Sequence, residues 1–169
     1  MKSILTALLS RRPARLKKLE LVPRRRGRPG QKYWAVMCDV DHFRAYNDIY
    51  GEAAGDEVLR RVSDALSRNC RSDDRVFSRC GEEFVLVVPG ESLERAKARA
   101  ERHRDAVEQL QIPHQGSPFG IVTISMGLAT IVSGGRSATA EALDQADQAL
   151  CRAKRAGRNR VVGAGLALA

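Results

Sequence analysis

At 169 residues, 43% hydrophobic and 29% charged, the chain has the size and composition of one well-packed globular domain, which excludes a disordered or fibrous protein. The net charge is +9, and ten basic residues crowd between Arg11 and Lys32, including the run Arg24-Arg25-Arg26-Gly27-Arg28. The four cysteines (Cys38, Cys70, Cys80, Cys151) form no CxxC pair, so neither a zinc motif nor a disulfide framework is indicated and a reducing cytoplasm fits best.

Residues 3–21 are expected to be helical, with Leu5, Leu8, Leu9, Leu16 and Leu19 apolar among basic neighbours. The apolar patch from Ile4 to Leu9 is short and soon followed by arginines, which argues against a signal peptide. No apolar run approaches the roughly 20 residues that membrane insertion requires. The arginine run lies among Pro23, Pro29 and two glycines. A basic run can hold nucleic acid or an anionic membrane surface, but no aromatic residue interleaves to stack on bases. A solvated loop is therefore the favoured reading, and phosphate-bearing small substrates would also suit so basic a domain.

Tyr33–Cys38 (YWAVMC) reads as a continuous apolar strand covered on both faces, ending at Asp39-Val40-Asp41. A short helix over Phe43–Ile49 is closed by Gly51. A longer helix begins near Gly55 and carries Val58, Leu59, Val62, Ala65 and Leu66 at helical spacing. Val76–Ser78 and Phe84–Val88 form a hairpin. Ser92–Leu110 is helical, with Leu93, Ala96, Ala100, Val107 and Leu110 inward. Ile121–Ala129 is a strand, Ala138–Ala156 a helix ended by Gly157, and Val161-Val162 a last edge strand. Residues 1–162 thus read as a single domain, of which 1–32 are the N-terminal helix and basic loop, and 163–169 are a frayed tail. Strands and helices interleave around a hairpin, which predicts an α/β (α+β) fold: a central mixed sheet of about five strands flanked by helices.

Two acidic clusters stand out. Asp39 and Asp41 lie two residues apart at the C-terminal end of the first strand, where open α/β sheets bind ligands, and an extended backbone points both to one side. Glu82 and Glu83 follow Gly81 in the hairpin turn. If the first strand pairs with the hairpin, Asp39 and Glu82 converge, and converging acids of this kind attract a hard cation such as magnesium. The competing reading makes Asp39 and Asp41 caps of the following helix.

The segment DVDHFRAYNDIYGEAAGDEVL (residues 39–59) resembles the DxDxFKxxNDxxGHxxGDxxL signature of GGDEF domains, the diguanylate cyclases. The hairpin CGEEF resembles their GG(D/E)EF motif. Ser125-Met126-Gly127 is similar to their S-(I/M)-G strand, and residues 146–159 (ADQALCRAKRAGRN) to their ADxALYxAKxxGRN helix. Leu5 to Arg12 (LTALLSRR) resembles their opening LTGLxNRR. The likeness covers nearly the whole chain in the right order, and it implies a ferredoxin-like, polymerase-palm-like fold.

The resemblance also implies a reaction: two GTP molecules, one on each of two facing subunits, condense to cyclic di-GMP with release of two pyrophosphates. Asp39, the carbonyl of Val40 and Glu82 would hold magnesium or manganese, two ions per active site at most. Glu82 would also help deprotonate the 3′-hydroxyl, with Glu83 supporting the charge arrangement. The N–H groups of Phe43 and Arg44 would cradle phosphate at the turn into a helix. Asn47 and Asp56 would read guanine, whose N1–H and 2-amino group a carboxylate can accept together. Asp56 also reads as the N-cap of the long helix. Lys154 and Arg158, one turn apart, would reach one phosphate tail, or simply favour the helix dipole. Arg71-Ser72-Asp73-Asp74 stands at the spacing of the family's inhibitory product site, with Arg102 a weaker candidate for a second arginine there.

The chain departs from the pattern at Cys80, which replaces the first signature glycine, and at Ser78-Arg79, where an arginine has moved one place. Glu52 stands for a histidine, and Ser3 and Ser10 for an aspartate and an asparagine. The expected protein is a cytoplasmic cyclase, active as a transient homodimer, inhibited by its product and governed by an upstream sensor or receiver. The alternative is a degenerate module that only binds cyclic di-GMP or GTP.

Overall fold

The computed structural model describes residues 32–90, 92–131 and 136–165. The helix expected over 3–21, the basic loop up to Gln31 and the end of the tail lie outside the described residues. Among the described residues five strands and four helices follow one another: β1 (Tyr33–Val40), α1 (Phe43–Tyr50), α2 (Glu52–Arg68), β2 (Arg75–Cys80), β3 (Glu83–Pro89), α3 (Leu93–Glu108), β4 (Ile124–Ile131), α4 (Arg136–Arg155) and β5 (Val161–Gly163).

The strands form one mixed sheet in the order β2-β3-β1-β4-β5. β1 sits in the middle, antiparallel to β3 and β4, while β5 adds on in parallel beside β4. Alternation along β1 gives the sheet two apolar faces. Trp34, Val36, Cys38 and Val40 pack with Leu86 and Met126 under α1, α2 and α3. Ala35 and Met37 point the other way, with Val85, Val87 and Ala129, against Ala142, Ala146 and Leu150 of α4. A sheet buried on both sides needs apolar residues at successive positions, which is why YWAVMC does not alternate with polar residues. Met37, Leu86 and Met126 are fully buried, and each such side chain contributes about 1.5–3 kcal/mol by leaving water.

Gly127 explains how closely α4 lies on the sheet. A Cβ there would fall 2.1 Å from the Leu150 nitrogen and 2.2 Å from the Ala146 carbonyl oxygen. Only glycine lets the helix backbone rest directly on β4.

Several boundaries differ from expectation. α2 starts at Glu52, directly after the sharp break at Gly51, whose carbonyl accepts from the Gly55 N–H at 3.1 Å. Asp56 therefore lies inside the helix, and its reading as an N-cap falls. β4 starts at Ile124, because Ile121 pairs instead with Pro113 in a small extra hairpin, where the Val122 N–H donates to Ile112 and the His114 N–H to Gly120. α3 starts behind Ser92, whose hydroxyl accepts from the Arg95 N–H at 3.3 Å. α4 ends as expected: the Arg158 N–H reaches back to the Ala153 carbonyl at 3.0 Å, and Gly157 adopts φ 113.

Candidate active site

The register of the sheet decides which acids meet. Asp39 stands opposite Glu83 on one side and Ser125 on the other. Directly opposed residues share a face, so these three point toward α4. Glu82 sits in the turn just beyond, its carbonyl accepting from the Val40 N–H at 3.4 Å. Glu83 is thus Asp39's cross-strand neighbour, whereas the sequence reading paired Asp39 with Glu82. Both glutamates lie within electrostatic reach. Burial pushes the Asp39 carboxyl above its ordinary value, Lys154 opposes that rise, and the charges of Glu82 and Glu83 add to it. Lys154, from the last turn of α4, donates to Asp39 Oδ1 at 2.8 Å.

The hairpin presenting the glutamates is irregular. Gly81 takes the left-handed turn position at φ 52, while Cys80 is a strand residue paired with Glu83. The substituted position is therefore not the one that needs glycine's freedom. A register shift between Ser78 and Cys80 makes a bulge at Arg79, whose guanidinium lies 3.8 Å from Glu83 and 3.9 Å from Asp147. A bulge re-aims a side chain, so Arg79 still reaches the acidic face.

Asp41 has a different role from Asp39. It is 1% exposed and accepts from Ser125 Oγ at 2.6 Å, Thr123 Oγ1 at 2.8 Å and the Asn159 backbone N–H at 3.1 Å. These bonds tie the end of β1 to the start of β4 and to the loop after α4, where Arg158 and Asn159 both have positive φ. Neither aspartate caps α1: its N-cap is His42, at φ 55, with no side-chain cap bond. The helix-capping reading therefore falls for both. A second arrangement supports the same loop. Glu108 accepts from Asn159 Nδ2 at 2.8 Å and from Arg104 at 2.9 Å, and Arg104 donates in turn to Asn159 Oδ1 at 2.7 Å.

The remaining candidates flank this centre. Phe43 and Arg44 open α1, where a helix leaves N–H groups without intrahelical partners. Asn47 on α1 faces Gly55 of α2, and its Oδ1 is buried with no hydrogen-bond partner among the described residues. A Cβ at position 55 would sit 1.8 Å from that oxygen, so only glycine leaves room for the Asn47 amide in this place. Asp56 is the next residue and is exposed. Arg158 follows Lys154 in the loop held by Asp41.

Arg71 and Asp74 meet through the backbone: the Arg71 N–H donates to Asp74 Oδ2 at 2.9 Å. Asp74 is buried and pairs with Arg99, whose guanidinium donates to Oδ1 at 2.7 Å and to the Pro89 carbonyl at 3.0 Å. Arg102 is exposed on α3 and makes no such pair among the described residues. Sequence reading missed Arg99. Its signal was its place three residues before Arg102 on the same helix, which only the packing of α3 could rank.

The donors around Asp39 fit a hard divalent cation: carboxylates and a backbone carbonyl, oxygen only, on a face where an ammonium group already sits 2.8 Å from Asp39. Comparison with known proteins places the chain in a family. The family profile described as "Diguanylate cyclase, GGDEF domain" matches residues 4–160. The chain is 38% identical over 153 residues to diguanylate cyclase DgcP of Pseudomonas aeruginosa, covering 90% of this chain and 22% of that protein. It is 37% identical over 160 residues to diguanylate cyclase DosC of Escherichia coli, covering 94% and 34%. The chain thus spans roughly a fifth to a third of the length of these curated relatives. Among solved structures, it is similar to the GGDEF domain of DgcB from Caulobacter crescentus in complex with c-di-GMP (TM-score 0.72, 29% identity, 82% of this chain and 81% of that one). It is also similar to the active GGEEF domain of a diguanylate cyclase from Vibrio cholerae (TM-score 0.66, 28% identity, 81% and 85%).

Proposed function

We propose that this chain, which belongs to the GGDEF domain family, is a diguanylate cyclase that condenses two GTP molecules to cyclic di-GMP. The observation that carries the reading is the meeting of Asp39, the Glu82-Glu83 turn and Lys154 at the C-terminal end of β1. Asp39, the Val40 carbonyl and Glu82 would hold magnesium or manganese, up to two ions, which when bound neutralises triphosphate charge and makes an attacking hydroxyl more acidic.

The chain's own groups do the rest. Asn47 Oδ1 is a buried acceptor awaiting an N–H, and Asp56 accepts the N1–H and 2-amino group of guanine, neither of which adenine offers. The first N–H groups of α1 at Phe43 and Arg44, with Lys154 and Arg158, take the triphosphate. Glu82 takes the 3′-hydroxyl proton as that oxygen bonds to the α-phosphorus of the GTP on the facing subunit, and the bond to pyrophosphate breaks. The same event on the second subunit closes the ring, so the reaction needs a homodimer. Glu83, paired with Arg79, keeps the acidic face in balance. Product inhibition at Arg71 and Asp74, with Arg102, completes the reading, together with a cytoplasmic setting and an upstream sensor or receiver. The position of Cys80 in β2, with the tight turn at Gly81, supports a working cyclase over a degenerate module.

The test is incubation of the purified chain at high concentration with GTP and magnesium, followed by chromatography, since dimerisation depends on concentration. Cyclic di-GMP is expected, and Glu82→Ala or Asp39→Ala should abolish it. Turnover retained in either variant would overturn the assignment.

A further inference from the structure

The buried histidine of α3 has no role in the site described. His103 is 1% exposed, and neither Nδ1 nor Nε2 has a hydrogen-bond partner among the described residues. A buried imidazole without partners loses much of the stabilisation that folding otherwise preserves, so its surroundings need an explanation.

Two other donors stand beside it. Cys70 follows the end of α2 and is a half-buried free thiol; Asp74, just before β2, is buried. One donor atom from each of Cys70, Asp74 and His103 lies within 4.8 Å of the other two. They come from two separate stretches of chain, Cys70 and Asp74 from the α2–β2 turn and His103 from α3, brought together where α3 packs over that turn. Asp74 already accepts one bond at each oxygen, from Arg99 and from the Arg71 N–H. A carboxylate has about four lone-pair positions, so capacity for a further partner remains.

We infer that Cys70, Asp74 and His103 form a binding site for a thiophilic divalent cation of the zinc class. The donor set selects the metal. A thiolate and an imidazole beside a single carboxylate suit zinc or cobalt, whereas magnesium and calcium take oxygen ligands alone. The site is therefore chemically distinct from the all-oxygen centre at Asp39. Three protein ligands leave one position of a tetrahedral shell for water. Binding exchanges the Cys70 S–H proton for the metal and releases that proton to solvent, with no change of oxidation state. The bound ion would clip the α2–β2 turn to α3.

Cobalt(II) alone tests the site, added to the full chain after chelator treatment and without nucleotide. One equivalent should bind, with thiolate-to-cobalt charge-transfer absorption and visible bands of tetrahedral cobalt, and zinc should displace it. Cys70→Ser and His103→Gln should each weaken binding by roughly 100-fold or more, at or beyond the top of the range for losing an outer-shell partner. Cys151→Ser, which alters an exposed thiol elsewhere, should leave it unchanged. Because His103→Gln disturbs a buried position, alkylation of the unmutated chain gives an independent measure: zinc should protect Cys70, located by peptide mass spectrometry, and leave Cys151 reactive. Absence of the charge-transfer band, its persistence in Cys70→Ser, or equal alkylation of Cys70 with and without zinc would overturn the proposal.

Discussion

Asp41→Ala tests whether the second aspartate is a structural acid. The substitution removes the acceptor of three hydrogen bonds, from Thr123 Oγ1, Ser125 Oγ and the Asn159 N–H, all at a 1% exposed position. A bond to a charged group is worth about 1.5–3 kcal/mol. The two hydroxyls can turn toward each other, but the Asn159 N–H is fixed, so the bonds do not add in full and the expected loss is about 3–5 kcal/mol. Total stabilities of about 5–15 kcal/mol make that a large fraction. Asp41→Asn should behave differently. Its amide oxygen can keep the Thr123 and Asn159 bonds, while its NH₂ donates to a rotated Ser125 hydroxyl, so a loss of about 1–2 kcal/mol is expected. Urea unfolding measures both. With a slope near 2 kcal/mol/M, the alanine variant should shift its midpoint by roughly 2 M and the asparagine variant by less than about 1 M. The alanine variant should also raise the KM for GTP, because the loop bearing Arg158 loses its anchor. A shift below about 0.5 M for alanine, or equal shifts for both, would refute the reasoning.

Other residues yield sharper, smaller tests. Gly127→Ala places a methyl against the α4 backbone, an overpacking expected to cost about 3 kcal/mol and lower Tm by about 6–12 °C; an unchanged Tm would mean that α4 shifts freely. Arg104 and Asn159 hold the Glu108 carboxyl below its ordinary value of 4.5, so its stabilising effect is full above that pH and lost as pH falls through the lowered value. Glu108→Gln should flatten the acid limb of the stability–pH curve, measured by urea midpoints; an unaltered limb would remove Glu108 from the account. Asp56→Asn should reduce selectivity for GTP over ATP by roughly 10-fold, the worth of one charge-assisted bond at an exposed carboxylate, read from competing kcat/KM values, and retained selectivity would move guanine recognition elsewhere.

Much of the site was visible along the chain because its parts are local. Gly81 before two glutamates marks a tight turn, and Gly157 after a basic helical turn marks a helix end; both hold in the structure. The difference between Asp39 and Asp41 was not visible. Their spacing places them on one side, but only the register of β4 puts Thr123 and Ser125 against Asp41, and only the packing of α4 puts Lys154 against Asp39. Arg99 escaped notice for the same reason. Helical spacing alone does not rank Arg99 above Arg102, whereas the buried charge of Asp74 does.

By itself the sequence determined the order of strands and helices from β1 to β5, the two buried faces of β1 and the position of the acidic turn. Those follow from interactions between residues close in the chain: periodic burial, glycine's backbone freedom and helix termini. The tertiary structure decided the pairings across long separations: Asp39 with Lys154, Asp41 with Asn159, and Asp74 with Arg99. It also decided the approach of Cys70 to His103, a cluster that no CxxC spacing announces. Such pairings depend on strand register and on the rotation of each helix about its axis, and a shift of one residue in either turns a side chain to the other face.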